Sequence, residues 1–300
     1  MDAELLPPRA TLCEVGPRDG FQYEETFIPT AMKIAAIRAL AEAGLPRIQV
    51  TSFVHPKWVP QMSDAEEVAA SLPDVAGVTY SGLVLNLKGV ERAIHAGLTS
   101  VDISVATWDE HSLDNANMPV ETALEQVEGM IRMSTEAGLD VQLGLQTVFG
   151  FRTPGDTPLY RIERIIDRFV PLGVESVSLA DTTGMANPAL IASRLEALRR
   201  VTETIPLVLH LHDTRGLGLA NVYEALRCGV ERFDTSLAAM GGCPFISGAA
   251  GNVATEDTAY LLDSLGVETG VDIAAVAACS RRITGFLKKE FPGKLYKLSF

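Results

Sequence analysis

The stretch Glu136-Ala-Gly-Leu-Asp-Val-Gln-Leu-Gly-Leu-Gln146 joins the end of a helical pattern to a short apolar strand. Because glycine adopts the left-handed backbone conformation without a steric cost, Gly138 is predicted to end the helix. A glycine followed by Leu or Val recurs in the same setting, at Gly44, Gly97, Gly173, Gly229 and Gly266. The repeat indicates a series of helix–strand units.

Eight strands are predicted from this repeat. Five strands follow the first five glycines of the repeat. Two more lie in the two longest intervals between these glycines, and one precedes the first helix. Their predicted ranges are Thr11–Val15, Arg47–Ser52, Val78–Val84, Ser100–Ala106, Asp140–Gln146, Ser176–Asp181, Leu207–His212 and Arg232–Leu237. Strands that alternate with helices form parallel sheets, and eight such units predict a (β/α)8 TIM barrel of the α/β class.

Helical periodicity places one helix after Thr30, which is predicted to act as its N-cap, and another at Val120–Ala137. Residues 1–271 are interpreted as a TIM-barrel catalytic domain, followed at 272–300 by a C-terminal helix and basic tail. A doubly wound nucleotide-binding fold is the alternative, because Gly216-Leu-Gly-Leu-Ala-Asn221 follows a strand and opens a helix. That segment lacks the third glycine of a dinucleotide fingerprint, which favours the barrel.

The composition limits the kinds of partner. A net charge of −13 over 300 residues argues against nucleic acid and against an anionic membrane. No run approaches the length of a membrane span, the N-terminus lacks a signal-peptide pattern, and four scattered cysteines predict no disulfide framework. A cytoplasmic enzyme is expected, and any anionic substrate must meet a local cluster of cations.

The strand Leu207-Val-Leu-His-Leu-His-Asp-Thr214 carries two histidines two residues apart. Side chains at i and i+2 of a strand point to the same face, so His210 and His212 are predicted to lie side by side. Imidazole is a frequent metal ligand, although two buried histidines satisfied by hydrogen bonds fit the same pattern. Oxygen ligands at neighbouring strand ends would favour a metal site.

Polar residues cluster where the strands of the predicted barrel end, which is where barrel enzymes carry their chemistry. Arg18 and Asp19 follow the first strand, Asp181 ends the sixth, and a Gly-rich segment containing Cys243 follows the eighth. Each has a structural alternative, because an aspartate often caps a turn and a lone cysteine is often a small buried residue. Taken together, two imidazoles with carboxylate and amide oxygens suit Mg²⁺ or Mn²⁺, with Zn²⁺ as a further option.

Five groups of motifs are distinctive in combination. They are Glu14-Val-Gly-Pro-Arg-Asp-Gly20, Thr51-Ser-Phe-Val-His-Pro-Lys-Trp-Val-Pro-Gln-Met62, Asn86-Leu-Lys-Gly89, His210-Leu-His-Asp-Thr214, and Gly241-Gly-Cys-Pro-Phe245 with Gly251-Asn-Val-Ala-Thr-Glu-Asp257. In this combination the chain resembles the 3-hydroxy-3-methylglutaryl-CoA lyase family, which belongs with the isopropylmalate and homocitrate synthases to the barrel metallolyases. The resemblance runs from residue 10 to residue 271, and its Gly-Gly-Cys-Pro loop is specific to the lyase branch.

The resemblance implies divalent-metal-dependent cleavage of a branched 3-hydroxyacyl-CoA to acetyl-CoA and an oxo acid. It places the metal ligands at Asp19, His210, His212 and Asn252. It also implies that Arg18 faces the thioester oxygen, and that Cys243 sits on a mobile loop closing over the substrate. Cys243 and His210 are expected to transfer protons, and Asp181 to orient a ligand or to join the proton path.

Substrate contacts are expected on the same face of the barrel, at Gln49, Ser52, Lys57, Arg152, Gly241 and Gly242. Lys57 and Arg152, together with Lys88, follow strands on that face and are predicted to supply cations for the phosphates of CoA. The expected partner is therefore a small acyl-CoA molecule. A homodimer is an assembly that the sequence leaves open.

Two departures from the family pattern fall where the acyl part should bind. Gln49 stands where the family has Glu, and Gln146-Thr-Val-Phe-Gly-Phe-Arg152 replaces a segment close to Ser-Cys-Ala-Leu-Gly-Cys-Pro. (R)-Citramalyl-CoA or another branched 3-hydroxyacyl-CoA is therefore an alternative substrate, and a catalytically silent binding barrel is a second alternative. A synthase, which usually carries a C-terminal regulatory region, and an aldolase of small oxo acids, which needs no Gly-Gly-Cys-Pro loop, fit less well.

Overall fold

A computed structural model describes residues 6–242 and 251–298. In these residues, eight strands pair in parallel in sequence order, and β1 pairs with both β2 and β8, so the sheet closes into a barrel. The strands are β1 Thr11–Glu14, β2 Arg47–Ser52, β3 Thr79–Val84, β4 Ser100–Ala106, β5 Asp140–Gln146, β6 Ser176–Ala180, β7 Leu207–His210 and β8 Arg232–Thr235. The predicted (β/α)8 barrel is confirmed.

The helices surround the barrel. Within the described ranges they are α1 Thr30–Glu42, α2 Ala65–Ala70, α3 Leu87–His95, α4 Asp109–Ala116, α5 Val120–Glu136, α6 Leu159–Phe169, α7 Pro188–Thr202, α8 Gly218–Arg227, α9 Thr255–Ser264 and α10 Ile273–Leu287. Strand β6 shows how the layers form, because Val177 and Leu179 belong to the apolar core whereas Ser178 and Ala180 line the barrel interior. The two-residue period of a strand separates these two sets.

The predicted helix ends are confirmed, because all six glycines of the repeat have positive φ values between 78° and 94°. Two local predictions are wrong. Pro29 occupies the N-cap position of α1, and the Thr30 hydroxyl instead donates to Asp64 Oδ2 at 2.8 Å. Strand β7 ends at His210 rather than His212, because His212 pairs with Asn252 in an isolated antiparallel bridge.

The segment after α9 packs beside the first helix of the barrel. The Asp272 backbone N–H donates to Ala43 O at 2.8 Å, and its carboxylate accepts from Ala275 N, which caps α10. The C-terminal segment Lys288–Leu298 then folds back towards the barrel. No helix among the described residues is long and apolar enough to cross a bilayer.

Candidate active site

The β1 loop Gly16–Gly20 is a tight helical turn that carries Arg18 and Asp19. A side chain could not be accommodated at either end of it. A Cβ on Gly16 would lie 2.2 Å from Leu237 Cδ2, and a Cβ on Gly20 would lie 2.7 Å from Met240 Cβ. The glycines therefore allow the β1 loop to pack directly against the turn that follows β8.

The Arg18 guanidinium is held by two neighbours. Its Nε donates to Gln49 Oε1 on β2, and its Nη1 donates to Asp19 Oδ1. Only 12% of the Arg18 side chain is exposed. Charge-assisted hydrogen bonds of this kind fix both the position and the plane of a guanidinium. Gln49 thus holds Arg18 through an amide oxygen without adding a negative charge.

His210 and His212 lie side by side as predicted, with their Nε2 atoms 3.3 Å apart. Burial and the neighbouring His210 lower the pKa of His212 to about 3, so this imidazole is neutral near pH 7. Burial would also lower the pKa of His210, but the hydrogen bond to Asp234 and the charges of Asp234 and Asp19 together outweigh burial and raise it.

Asp234 is a site residue that the sequence reasoning missed. Its Oδ2 lies 3.2 Å from His210 Nδ1 and accepts a hydrogen bond of 3.2 Å from Ser178 Oγ. Because a carboxylate oxygen accepts hydrogen bonds, this contact favours the tautomer with the proton on Nδ1 and a lone pair on Nε2. The sequence feature that could have identified it is an acidic residue within strand β8, at a position that faces the barrel interior.

Asn252 connects Asp19 to the turn after β8. Its Nδ2 donates to Asp19 Oδ2 at 2.7 Å and to Met240 O at 3.0 Å. Burial would raise the pKa of Asp19, but Arg18, the two histidines and the Asn252 hydrogen bond outweigh burial and lower it. Asn252 Oδ1 is buried without a hydrogen-bond partner among the described residues. An ionised carboxylate and an unpaired amide oxygen therefore sit in one network.

This donor set fits a divalent cation. It supplies two imidazole nitrogens, one carboxylate and the unpaired Asn252 oxygen, which are ligands typical of Mn²⁺, Mg²⁺ and related ions. Across residues 6–242 and 251–298, no three His, Cys, Asp or Glu side chains already form a closed cluster. The Asp19 and Asn252 side chains are hydrogen-bonded, and a backbone bridge between Asn252 and His212 places the histidine pair beside them.

A cavity of about 920 Å³ opens beside these residues at the carboxyl ends of the strands. Arg18, Asp19, Gln49, His210, His212 and Gly242 all line it. The lining also includes His111, whose Nε2 lies 2.7 Å from Gln146 Oε1. Among the lining residues in the described part of the chain, Arg18 is the only Arg or Lys. Arg18 would therefore be the basic side chain that pairs with a negatively charged ligand in this part of the cavity.

Among the described residues, six of the predicted catalytic, substrate-binding and metal-binding residues lie outside the cavity lining: Ser52, Lys57, Arg152, Asp181, Gly241 and Asn252. Ser52 is fully buried at the end of β2, and Lys57 Nζ lies 5.5 Å from the centre of the Trp58 ring. Arg152 Nη2 pairs with both carboxylate oxygens of Glu110 at 2.6 Å. The Asp181 carboxylate accepts hydrogen bonds from two backbone N–H groups of the loop after β6, and burial raises its pKa to about 6.

The glycine loop after β8 is described only in part. Gly241 has a φ of 119°, and a Cβ on it would lie 2.6 Å from Asn252 Nδ2 and 3.3 Å from Asp19 Oδ2. Gly241 therefore allows the backbone to pass directly over two of the predicted metal ligands. Cys243 lies outside the described residues.

Two buried carboxylates support the loops of the site and make stability depend on pH. Burial raises the pKa of Glu14 to about 8, although hydrogen bonds from Thr255, Leu237 and Gly16 oppose it, and burial raises that of Glu256 to about 7. The stabilisation from a raised carboxyl pKa is fully present below the unfolded pKa near 4.5 and is lost as pH rises to about 8.

We therefore expect the Glu14→Gln variant to lose less stability than the wild type between pH 5 and pH 8.5. The amide cannot titrate, so the replacement removes one source of the pH dependence. Denaturant unfolding of both proteins across this range measures the difference. Parallel stability curves for the two proteins would contradict the expectation.

These features define a barrel enzyme with a polar site at the carboxyl ends of its strands. A family model described as HMGL-like matches residues 9–283. The hydroxymethylglutaryl-CoA lyase of Bacillus subtilis is 37% identical over 288 residues, which cover 96% of each chain.

Solved structures agree in three dimensions. Hydroxymethylglutaryl-CoA lyase from Pseudomonas aeruginosa superposes with a TM-score of 0.93 at 38% identity, with 97% of each chain covered. An HMG-CoA lyase from Acinetobacter baumannii, solved in complex with coenzyme A and 3-methylmalate, gives a TM-score of 0.91 at 34% identity, covering 97% of this chain and 95% of that one. The chain belongs to the HMGL-like family and is a carbon–carbon lyase.

Proposed function

We propose that this lyase cleaves 3-hydroxy-3-methylglutaryl-CoA to acetyl-CoA and acetoacetate. In this reaction the C2–C3 bond breaks, and the C3 hydroxyl loses its proton and becomes the ketone of acetoacetate. The bonding electrons stay on C2 as the enolate of acetyl-CoA, which then takes up a proton. The chain must therefore remove one proton, stabilise one enolate and deliver one proton.

One observation carries the proposal. Arg18, Asp19 and the His210–His212 pair line the 920 Å³ cavity, and Asp19 is hydrogen-bonded to Arg18 and Asn252. A backbone bridge between His212 and Asn252 places the histidine pair beside this group. The similarity to hydroxymethylglutaryl-CoA lyases over nearly the whole chain supports the reaction. The coenzyme A in the Acinetobacter relative supports an acyl-CoA as the class of substrate.

Divalent-metal dependence is general in this family, and Mg²⁺ or Mn²⁺ is the cation proposed for this chain. Asp19, His210, His212 and Asn252 would hold it. A bound cation would lower the pKa of the substrate hydroxyl and neutralise substrate oxygens. Asp234 keeps His210 in the tautomer that leaves Nε2 available.

Arg18 has the clearest role in the chemical step. The enolate oxygen gains negative charge as the C2–C3 bond breaks, and a fixed guanidinium beside it stabilises that charge. Gln49 and Asp19 hold the guanidinium in place before the substrate arrives. His210, Cys243 and Asp181 are proposed to transfer protons. Of these three, only His210 lines the cavity in the described residues.

The substrate-binding residues remain proposals at Gln49, Ser52, Lys57, Arg152, Gly241 and Gly242. Gln49 and Gly242 are best supported because both line the cavity. Arg152 would have to leave Glu110 before it could meet a phosphate. The homodimer and the cytoplasmic location also remain predictions.

An assay of acetyl-CoA release tests the proposal. Purified protein with Mg²⁺ or Mn²⁺ is expected to release acetyl-CoA from 3-hydroxy-3-methylglutaryl-CoA and to lose this activity with EDTA. Mg²⁺ or Mn²⁺ added back after chelation should restore it. If acetyl-CoA were released only from another branched 3-hydroxyacyl-CoA, that compound would be assigned as the substrate instead. Release of acetyl-CoA in the presence of EDTA would overturn the proposed role of the metal.

A further inference from the structure

The turn Leu237–Met240 after β8 has an unusual backbone. Ala238 and Ala239 have φ values of 53° and 60°, so two consecutive alanines lie in the left-handed region. This conformation is unfavourable for residues with a Cβ, and it persists only where surrounding contacts impose it. The contacts around the turn must therefore hold it in shape.

Three contacts from distant parts of the chain hold this turn. Glu14 Oε1 accepts a hydrogen bond from Leu237 N at 3.0 Å, and the Glu256 carboxylate accepts one from Ala238 N at 3.1 Å. On the carbonyl side, Gly293 N donates to Ala238 O at 3.0 Å. The last contact comes from the C-terminal segment Lys288–Leu298.

Gly293 can make this contact only because it has no side chain. A Cβ there would lie 2.7 Å from Ala238 C, 2.8 Å from Ala238 O and 3.0 Å from Ala238 Cα. All three are backbone atoms, which cannot move aside as the end of a flexible side chain could. Gly293 therefore lies directly against the backbone of the turn.

The C-terminal segment is itself firmly anchored. The Asp257 carboxylate accepts hydrogen bonds from Lys294 N and Leu295 N, and Phe291 and Tyr296 are both 4% exposed. Gly293 therefore meets the turn from a fixed position.

The same segment also contacts the chain just after the β1 loop. Lys289 Nζ donates to both carboxylate oxygens of Glu24 at 3.0 Å, and Glu24 lies four residues after Gly20. The Glu24 side chain is only 5% exposed. The segment thus contacts the turn after β8 directly and the chain four residues beyond the β1 loop through Glu24.

Two hydrogen bonds link the turn to the proposed metal ligands Asn252 and Asp19. Met240 O accepts the 3.0 Å hydrogen bond from Asn252 Nδ2, and the same nitrogen donates to Asp19. A shift of the backbone at Ala238 would therefore move the acceptor that orients the Asn252 amide.

We propose that the C-terminal segment Lys288–Leu298 is a positioning element of the active site, with Gly293 as its central residue. It fixes the left-handed turn after β8 and, through Glu24, the β1 loop, and so places Asn252 and Asp19. The effect on catalysis rests on the proposed function, whereas the effect on the turn does not. Within this segment, Lys289 acts through its ion pair with Glu24.

The test compares Gly293→Ala with Gly285→Ala in the full-length protein. Gly285 is exposed on α10, and a Cβ there would meet nothing within 4 Å, so its variant controls for the added methyl group. In Gly293→Ala we expect faster hydrogen exchange at the amides of Leu237, Ala238 and Met240. Mn²⁺ binding, followed by electron paramagnetic resonance, should weaken roughly tenfold, as is usual when a group that orients a metal ligand is lost.

Kinetics separate positioning from CoA binding. A positioning role predicts a lower kcat with little change in KM, whereas a CoA-binding segment would mainly raise KM. Equal exchange at the turn in the two variants would overturn the proposal. If the wild type bound no Mn²⁺, the proposed metal role would fail, while the exchange data would still decide the positioning role.

A second variant covers the case in which Gly293→Ala does not fold. Lys289→Met removes the ion pair to Glu24 without creating a backbone collision. It should speed exchange in residues 16–24 and lower kcat without raising KM. Unchanged exchange and unchanged kcat in this variant would overturn the proposal.

Discussion

Replacing Arg18 with methionine is expected to lower kcat about 10²- to 10³-fold, the range found when one donor to a developing oxyanion is removed. Methionine keeps much of the side-chain volume but provides neither charge nor a donor. The contacts of Arg18 with Gln49 and Asp19 show that the guanidinium is fixed before the substrate arrives. Steady-state kinetics with 3-hydroxy-3-methylglutaryl-CoA measure the loss.

Two comparisons make this result specific. Arg164→Met removes an exposed guanidinium that pairs with Glu121 on the outside of the barrel, and it should leave kcat unchanged. Arg18→Lys restores the charge but not the paired hydrogen bonds, so it should recover only part of the rate. An Arg18→Met variant with a wild-type kcat would remove Arg18 from the chemical step.

Replacing Asp234 with asparagine is expected to weaken Mn²⁺ binding by about 10- to 100-fold, the usual cost of losing a group that orients a metal-bound histidine. The asparagine amide can donate to His210 Nδ1, which would move the imidazole proton to Nε2. A protonated Nε2 cannot bind a metal. Titration with Mn²⁺ followed by electron paramagnetic resonance measures the change without relying on turnover.

Asp167→Asn is the matched control for this prediction. Asp167 lies on α6, 3.5 Å from Arg200 at the surface, and the same change of charge there should leave Mn²⁺ affinity unchanged. If Asp234→Asn bound Mn²⁺ as tightly as the control, His210 would not depend on Asp234 for its tautomer.

Local sequence patterns were sufficient to predict the barrel architecture. The glycines that end helices, such as Gly138, and the apolar runs that follow them produced all eight strands with errors of only one or two residues at their ends. They succeeded because backbone conformation and the side-chain period of a strand depend on near neighbours in the sequence. The same period placed His210 beside His212.

Predictions about individual contacts were less secure. Thr30 is not an N-cap, because its hydroxyl bonds to Asp64, which is 34 residues away. Arg152 pairs with Glu110 across 42 residues and lies outside the cavity lining. Charge and hydrogen-bonding capacity can be read from a residue type, but the partner that satisfies them depends on the packing of distant segments.

The sequence by itself determined the barrel, the strand ends at which the polar residues collect, and the family motifs around Arg18, Asp19 and the two histidines. The tertiary structure alone decided that Asp234 orients His210 and that Gly293 lies against Ala238. The physical reason is sequence separation, because these contacts join residues 24 and 55 positions apart. Such pairs meet only after the barrel closes and the C-terminal segment folds back onto it.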